Sequence, residues 1–257
     1  MDTASDRPTR GRLILVTGGA RSGKSTYAER LAAQLAEPSG GRVTYLATSQ
    51  TYDEEMVQRV RAHQTSRPAT WTTVECPIEV AAAVRAAGAR AGAGGAAAAG
   101  TATEGSAPPV VLLDCVTLWV ANLLFQDGAL GGSEPPEGSY NYDKDLLPAT
   151  EERAAAARVT AAVDALVRAV VETGAVLVAV TNEVGLGVVP EYPLARLYRD
   201  QLGWANQRLA RDADGLYLLV SGYPLDVKAL SAGPLAVAGG ASSSRSGDQP
   251  SLPKEPQ

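Results

Sequence analysis

Residues 12–37, RLILVTGGARSGKSTYAERLAAQLAE, contain the pattern that decides the fold of this chain. An apolar run at residues 13–16 predicts a buried strand, and residues 28–35 carry apolar side chains at the spacing of a helix that packs on a sheet. Between them, residues 18–25 read GGARSGKS, which matches GxxxxGKS. The sequence therefore predicts a strand, a glycine-rich loop and a helix that together bind the phosphates of a nucleotide.

The glycine-rich loop has the residue types that phosphate binding requires. Its glycines let backbone N–H groups approach an anion closely, and the N-terminus of the following helix favours negative charge at the same place. Lys24 is expected to reach the β and γ phosphates, and the Ser25 hydroxyl is expected to hold Mg²⁺. A glycine-rich turn without a ligand is the alternative, which the Lys-Ser pair and the two flanks disfavour. The predicted phosphate site comprises Gly18, Gly19, Ala20, Arg21, Ser22, Gly23, Lys24 and Ser25.

Composition favours a globular protein that binds a small anionic ligand. The 257 residues are 45% hydrophobic, which is enough for a sizeable core. The net charge is −5 and no basic run stands out, so binding to a nucleic acid is not expected. Cys76 and Cys115 are the two cysteines, and because they lack metal-ligand spacing we expect buried free thiols.

Low-complexity segments set the expected domain boundaries. We predict one domain at residues 12–230, with disordered tails at residues 1–11 and 231–257 and flexible insertions at about residues 88–109 and 126–142. The N-terminal tail lacks the apolar core of a signal peptide, and no apolar run is long enough to span a bilayer. We therefore expect a cytoplasmic protein.

Strand and helix patterns alternate along the predicted domain. This alternation predicts an α/β fold of the P-loop NTPase type, with a doubly wound, mostly parallel sheet and helices on both faces. The predicted strands are residues 13–16, 43–47, 71–75, 110–114, 176–180 and 216–220, and the predicted helices after the first are residues 55–63, 78–87, 116–125, 149–173 and 194–213.

Polar residues follow two of the predicted strands. The triplet Thr48, Ser49 and Gln50 follows the second strand, and ligands of parallel sheets bind at the carboxyl ends of strands, so we expect this triplet to edge the nucleotide site. Asp114 ends the apolar run at residues 110–113, which makes it the candidate partner of Ser25 in holding Mg²⁺. The alternative for Asp114 is a carboxylate that only caps a turn.

His63 is the single histidine of the sequence. It follows Met56 and Val60 at helical spacing and so is expected to face inward with them. A lone histidine on an apolar face is more often a core residue than a catalyst, and the residues alone favour that interpretation.

Three longer motifs carry a resemblance to a known family. They are GGARSGKS, the stretch from Ala47 to Glu75 that includes ATSQ, His63 and RP, and TNEVGLGVVPE from Thr181. Together they resemble the bifunctional adenosylcobinamide kinase/adenosylcobinamide-phosphate guanylyltransferase family, over residues 13–228 apart from the two insertions. The resemblance implies phosphorylation of the aminopropanol hydroxyl of adenosylcobinamide, followed by transfer of GMP from GTP to the resulting phosphate.

The resemblance also implies roles for individual residues. His63 matches the nucleophile that attacks the α-phosphorus of GTP and holds GMP, while Lys24 and Mg²⁺ offset the charge of the departing pyrophosphate. Arg67 is implied to meet a phosphate and Glu75 the ribose or base edge, although a solvated Arg67 and a strand-ending Glu75 are the alternatives. The implied GTP-site positions are Gly18 to Ser25, Thr48, Ser49, Gln50, Gln64, Thr65, Ser66, Arg67, Glu75 and Asp114.

The expected substrates are therefore ATP or GTP, adenosylcobinamide and adenosylcobinamide phosphate, and a homotrimer is implied by the same resemblance. One competing interpretation is a small-molecule kinase that uses Lys24, Ser25 and Asp114 while His63 is structural. A GTP-dependent switch or assembly protein is a second, which the absence of a guanine-specificity motif such as NKxD disfavours.

Overall fold

The computed structural model describes residues 11–49, 67–96, 107–126 and 149–231, with the backbone alone described for residues 91–96. Several sequence-based predictions lie outside these residues. They are the helix at residues 55–63, most of the loop at residues 126–142, the two tails, and the site residues Gln50, His63, Gln64, Thr65 and Ser66.

The described residues form a seven-stranded sheet in the order β3-β2-β4-β5-β1-β6-β7. All pairs are parallel except β6 with β7, which is antiparallel. The predicted mostly parallel α/β sheet is thus confirmed. The strands are β1 (Arg12–Gly18), β2 (Val43–Ala47), β3 (Thr72–Glu75), β4 (Val110–Asp114), β5 (Val176–Val180), β6 (Gly215–Val220) and β7 (Tyr223–Asp226).

Helices cover both faces of this sheet. Helix α1 packs on one face, and α2 to α5 pack on the other. The helices are α1 (Lys24–Ala36), α2 (Val80–Ala96), α3 (Val116–Phe125), α4 (Ala149–Thr173), α5 (Pro193–Asp212) and the short α6 (Val227–Leu230), with a 3₁₀ turn at Glu37–Ser39.

The central strands read as continuous apolar runs because both of their faces are buried. In β1, Leu13 and Leu15 face α2 to α5, whereas Ile14 and Val16 face α1. Successive side chains of a strand point to opposite faces, so one apolar run supplies both halves of the core. This arrangement fixes the carboxyl ends of β1, β4 and β5 at one edge of the sheet.

Helix α2 is longer than the sequence pattern predicted. It continues through Ala96, so residues 88–96, the first part of the predicted insertion at residues 88–109, are helical. Alanine has the highest helix propensity, and an Ala/Gly-rich segment needs no large side chain to remain helical where it packs closely on a neighbour. Gly88 shows this closeness, because a Cβ there would lie 2.7 Å from the Thr173 Cβ of α4. Arg85 of α2 also pairs with Glu172 of α4 at 2.8 Å.

The sequence pattern did not predict strand β7. Ser221 and Gly222 have φ values of 49° and 88°, which are typical of a two-residue hairpin turn. The turn returns the chain along β6, and the side chain of Asp226 then accepts a hydrogen bond from the Ala229 N–H at the start of α6.

The two cysteines and the helix lengths bear on two expectations from composition. Cys76 is buried and Cys115 is partly exposed, and both are free thiols, so the expectation of buried thiols holds for Cys76. Within the described ranges, the helices are too short or too polar to traverse a lipid bilayer.

Candidate active site

The loop between β1 and α1 is folded around its own lysine. Helix α1 begins at Lys24, and Gly23 before it has a φ of 92°, a conformation that favours glycine. The Lys24 Nζ atom donates a hydrogen bond to the Gly19 carbonyl at 2.7 Å, and the residue is 9% exposed. Burial lowers the pKa of the Lys24 ammonium, while the nearby Cys115 and Asp114 act in the opposite direction.

Gly18 is required where β1 enters this loop. A Cβ at Gly18 would lie 2.6 Å from the Leu219 carbonyl oxygen and 2.8 Å from the Ser22 Oγ atom, and its φ is 150°. The Ser22 Oγ atom is itself buried and has no hydrogen-bond partner among the described residues. An unpaired buried hydroxyl is costly unless a ligand pairs with it, so the loop has a donor available for a phosphate oxygen.

The β6–β7 turn braces the same loop from the other side. The Gly222 N–H donates to the Ser22 carbonyl at 2.9 Å, and a Cβ at Gly23 would lie 3.3 Å from the Gly222 Cα atom. The phosphate loop is thus held between the first helix and the last hairpin.

Asp114 ends β4, and β5 lies between β4 and β1 in the sheet. The Tyr45 hydroxyl donates a hydrogen bond to the Asp114 Oδ2 atom at 2.7 Å. Burial, and then the Asp114 carboxylate, raise the pKa of Tyr45 far above its ordinary value, so this hydroxyl keeps its proton. Tyr45 therefore fixes the orientation of the carboxylate.

The end of β2 is tied to the end of β4. The Thr48 Oγ1 atom accepts from the Cys115 N–H and donates to the Cys115 carbonyl, each at 2.8 Å, and Asn122 Nδ2 donates to the Thr48 carbonyl at 2.8 Å. The Thr48 side chain is fully buried, whereas Ser49 is partly exposed. The hydroxyl of Thr48 thus connects two strand ends.

Arg67 and Glu75 lie towards the β3 edge of the sheet. The Arg67 guanidinium carbon lies 3.3 Å from the centroid of the Tyr45 ring, and Nη1 donates to Thr73 Oγ1 at 3.1 Å. The Arg67 Nε atom is buried without a partner in the described part of the chain. Ala47 pairs with Glu75 on one side and Asp114 on the other, which sets the exposed Glu75 two strands from Asp114.

A polar cluster at the end of β5 was not predicted from the sequence. Thr17 Oγ1 donates to Glu183 Oε1 at 2.9 Å, and Asn206 Nδ2 donates to the Asn182 carbonyl at 3.0 Å and to Glu183 Oε1 at 3.4 Å. Thr181 Oγ1 donates to Asn206 Oδ1 at 2.7 Å. The available signal was a run of polar residues directly after a buried strand, as at Asp114.

The described site residues form two groups. Gly18 to Ser25 and Asp114 meet at the centre of the carboxyl edge, and Arg67 approaches them by stacking on Tyr45. Glu75 stands apart on the edge strand. These features define a P-loop nucleotide-binding protein. They are a glycine-rich loop after the central parallel strand β1, a buried lysine, and a carboxylate at the end of β4, which β5 separates from β1.

Comparison with known proteins assigns the family. The cobinamide kinase / cobinamide phosphate guanyltransferase family matches residues 14–93 and 95–227. The bifunctional adenosylcobalamin biosynthesis protein CobU of Salmonella typhimurium is 41% identical over 216 residues, which are 84% of this chain and 99% of that protein. The Escherichia coli CobU is 38% identical over the same shares of the two chains. CobP of Pseudomonas aeruginosa is 36% identical over 83% of this chain and 96% of its own length.

This chain belongs to the cobinamide kinase / cobinamide phosphate guanyltransferase family. The resemblance drawn from the three sequence motifs is confirmed, and so is the enzyme class. The interpretation as a switch or assembly protein is set aside.

Proposed function

We propose that this enzyme phosphorylates the hydroxyl of adenosylcobinamide and then transfers GMP from GTP to the new phosphate through His63. Family membership supports the pair of reactions. The observation that carries the proposal is the phosphate loop, in which buried Lys24, unpaired Ser22 Oγ and Asp114 converge at the carboxyl end of the sheet. Both reactions break a phosphoanhydride bond, so one phosphate-binding loop can serve both.

The residues at this edge fit a nucleotide-bound Mg²⁺. Ser25 lies in the first turn of α1 and is partly exposed, and Asp114 is near enough to Lys24 to affect its pKa. One hydroxyl and one carboxylate suffice, because Mg²⁺ on a nucleotide retains phosphate oxygens and waters as ligands. The described residues contain no group of three or more His, Cys, Asp or Glu side chains that could hold a metal ion. When bound, the ion would neutralise phosphate charge.

The positions of Ser49 and Arg67 support a role for His63 near the same phosphates. These two residues flank the segment that contains His63, and His63 precedes Arg67 by four positions. Ser49 follows the end of β2, and Arg67 stacks on Tyr45 of β2, whose hydroxyl contacts Asp114. Both flanks therefore lie beside Asp114.

In the second reaction, an imidazole nitrogen of His63 attacks the α-phosphorus of GTP. The N–P bond forms as the bond from the α-phosphorus to the bridging oxygen breaks, and pyrophosphate leaves. Lys24 and the backbone N–H groups of the loop offset charge on that leaving group. An oxygen of adenosylcobinamide phosphate then attacks the same phosphorus, which frees His63 and gives adenosylcobinamide-GDP.

Labelling with GTP tests this proposal. Incubation with α-labelled GTP and Mg²⁺ should yield a covalent adduct that is labile in acid and stable in alkali, and His63→Ala should abolish it. His63→Ala should retain phosphorylation of adenosylcobinamide, which serves as the control for folding. Labelling that survives the substitution would remove His63 as the nucleophile. No labelling of the unmodified enzyme would leave a kinase without nucleotidyl transfer.

The assembly is proposed to be a homotrimer, as the family resemblance implied. Trp204 on α5 is 65% exposed beside a surface cleft of about 310 Å³ between α4 and α5, and exposed apolar area of this kind favours a contact between subunits. Light scattering should give three times the chain mass, and Trp204→Asp should shift the mass towards the monomer. An unmodified enzyme with the mass of one chain would contradict the trimer.

A further inference from the structure

Glu183 occupies a position that the proposed reactions leave without a role. Its backbone N–H donates to the Gly18 carbonyl at 3.3 Å, at the first residue of the phosphate loop. Its Oε1 atom accepts hydrogen bonds from Thr17 at 2.9 Å and from Asn206 at 3.4 Å. Within the described residues, the second oxygen, Oε2, has no hydrogen-bond donor. Oε1 is therefore held by two hydrogen bonds, and Oε2 is available to a substrate.

The strand order places Glu183 between the two ends of the phosphate site. Val180 of β5 pairs with Val16 of β1 on one side and with Asp114 of β4 on the other. Glu183 lies three residues after Val180 in the chain and is partly exposed. It is therefore at the carboxyl edge of the sheet, between the loop that holds Lys24 and the end of β4.

The two carboxylates belong to opposite faces of the sheet. Asp114 bonds to Tyr45, whose ring packs in the cluster that contains α1. Glu183 bonds to Asn206, which is on α5 across the sheet. In phosphoryl transfer the attacking and leaving oxygens are roughly in line with phosphorus. With the leaving diphosphate at the N-terminus of α1, as expected for a P-loop, in-line attack would place the acceptor hydroxyl on the side of Glu183.

A phosphoryl acceptor that is an alcohol must lose a proton as it attacks. Lys24 cannot take this proton while it is an ammonium, and the single histidine is already assigned to the second reaction. Among the carboxylates at this edge, Asp114 is proposed to hold Mg²⁺ and Glu75 lies on the edge strand. Of the described carboxylates, Glu183 is the one whose backbone N–H bonds to the phosphate loop, at the Gly18 carbonyl.

We propose that Glu183 is the general base of the kinase reaction, held in place by Thr17 and Asn206. This inference rests on the proposed function and names a residue for its first step. The acceptor O–H bond breaks as the oxygen forms a bond to the γ-phosphorus, and the bond from that phosphorus to the bridging oxygen breaks. The proton moves to Glu183 Oε2 and then to solvent, and the nucleoside diphosphate leaves.

The general-base role applies to one of the two reactions. Adenosylcobinamide phosphate is already ionised near neutral pH, so its attack on the guanylylated histidine requires no base. Adduct formation at His63 requires none on the acceptor either. A substitution that removes the base should therefore separate the two activities, whereas loss of a loop contact should affect both.

The variant Glu183→Gln tests the proposal, because it keeps an oxygen that can accept from Thr17 and Asn206 but is not basic. We expect kcat for phosphorylation of adenosylcobinamide to fall by about 10² to 10³-fold, with KM for the nucleotide within threefold. Labelling by α-labelled GTP and transfer of GMP to preformed adenosylcobinamide phosphate should each stay within threefold. Glu191→Gln, an exposed glutamate of the same segment, is the matched control and should leave all rates unchanged.

A loss of kinase kcat smaller than tenfold would overturn the proposal. An equal loss in the kinase and transfer reactions would overturn it as well, because that result defines a residue that only shapes the loop. Absence of kinase activity in the unmodified enzyme would instead contradict the proposed function. Thr17→Val adds a graded test, since loss of the donor to Oε1 should lower kinase kcat about three- to tenfold and spare transfer.

Discussion

The centre and the β3 edge of the same sheet hold their site residues in different ways. At the centre, Gly18 and Lys24 are enclosed by backbone from β6, the last hairpin and the loop itself. At the edge, Arg67 depends on stacking against Tyr45, and Glu75 is exposed on a four-residue strand. The residues proposed to bind phosphate at the centre are thus built into the core, whereas Arg67 and Glu75 stand on its margin.

This difference has a physical origin. Phosphates are bound by backbone groups, whose positions are fixed by the strands and helices that carry them. A base or ribose edge is bound by individual side chains, which can be exchanged without disturbing the fold. Substitutions at the centre should therefore affect stability and both reactions, and those at the edge should affect one substrate.

Lys24→Ala should have the largest effect and would show that the centre serves both reactions. Loss of the ammonium removes the charge that stabilises each departing phosphate, and we expect kcat/KM to fall at least about 10³-fold for phosphorylation and for labelling by GTP. Arg90→Ala, at an exposed position of α2, removes a cation without touching the loop and should leave both rates unchanged. Retention of either activity in Lys24→Ala would contradict the conclusion that the centre of the sheet serves both reactions.

Comparing Gly18→Ala with Gly19→Ala tests whether the close backbone contact at Gly18 contributes to stability. The added methyl at Gly18 would meet the Leu219 carbonyl at 2.6 Å, whereas a Cβ at Gly19 meets nothing within 4 Å. We expect Gly18→Ala to lower the free energy of unfolding by about 2–4 kcal/mol and Gly19→Ala by less than about 1 kcal/mol. Denaturant unfolding without nucleotide measures both, and equal losses would contradict the assigned contact.

Tyr45→Phe tests the residue that joins the centre to the edge. The change removes the hydroxyl that orients Asp114 but keeps the ring on which Arg67 stacks. We expect kcat/KM for the kinase reaction to fall about five- to twentyfold, with about 1 kcal/mol or less lost from stability, since one hydrogen bond is removed. Tyr223→Phe, at a position 77% exposed, is the matched control and should be neutral.

Glu75→Gln should have the smallest effect, and it would show whether Glu75 at the β3 edge binds the guanine base or the ribose. A carboxylate that binds the guanine edge accepts hydrogen bonds from its N–H groups, whereas one that binds ribose does not distinguish bases. We expect about a three- to tenfold loss of preference for GTP over ITP, measured by competition in the labelling assay. An unchanged preference with a raised KM for both nucleotides would assign Glu75 to ribose. Glu79→Gln, exposed nearby, is the control.

The sequence predicted the parts of the fold that depend on local patterns. GGARSGKS gave the phosphate loop, and apolar runs gave the central strands and the position of Asp114 at a strand end. The strand order did not follow from these patterns, because pairing of β1 with β5 and β6 depends on contacts between residues distant in sequence. The adjacency of Glu183 to the phosphate loop follows from that order and so was not foreseen.

Two further features required tertiary packing. Helix α2 extends through Ala96 beside α4, although its composition resembles a linker. Tyr45 reads as an ordinary strand residue, and its role became visible when its hydroxyl was found at 2.7 Å from Asp114. Side-chain pairs across neighbouring strands leave little trace in the periodicity of either strand, so they cannot be predicted from that periodicity.

The bracing of the phosphate loop by Gly222 has a consequence for biosynthesis. The first strand leaves the ribosome early, yet its partners at residues 176–180 and 215–219 are made much later. Strand β1 therefore cannot complete its pairing in the sheet until most of the chain has been made. The backbone contact from Gly222 to Ser22 can form only after residue 222 has been made, so the loop gains this support late in synthesis.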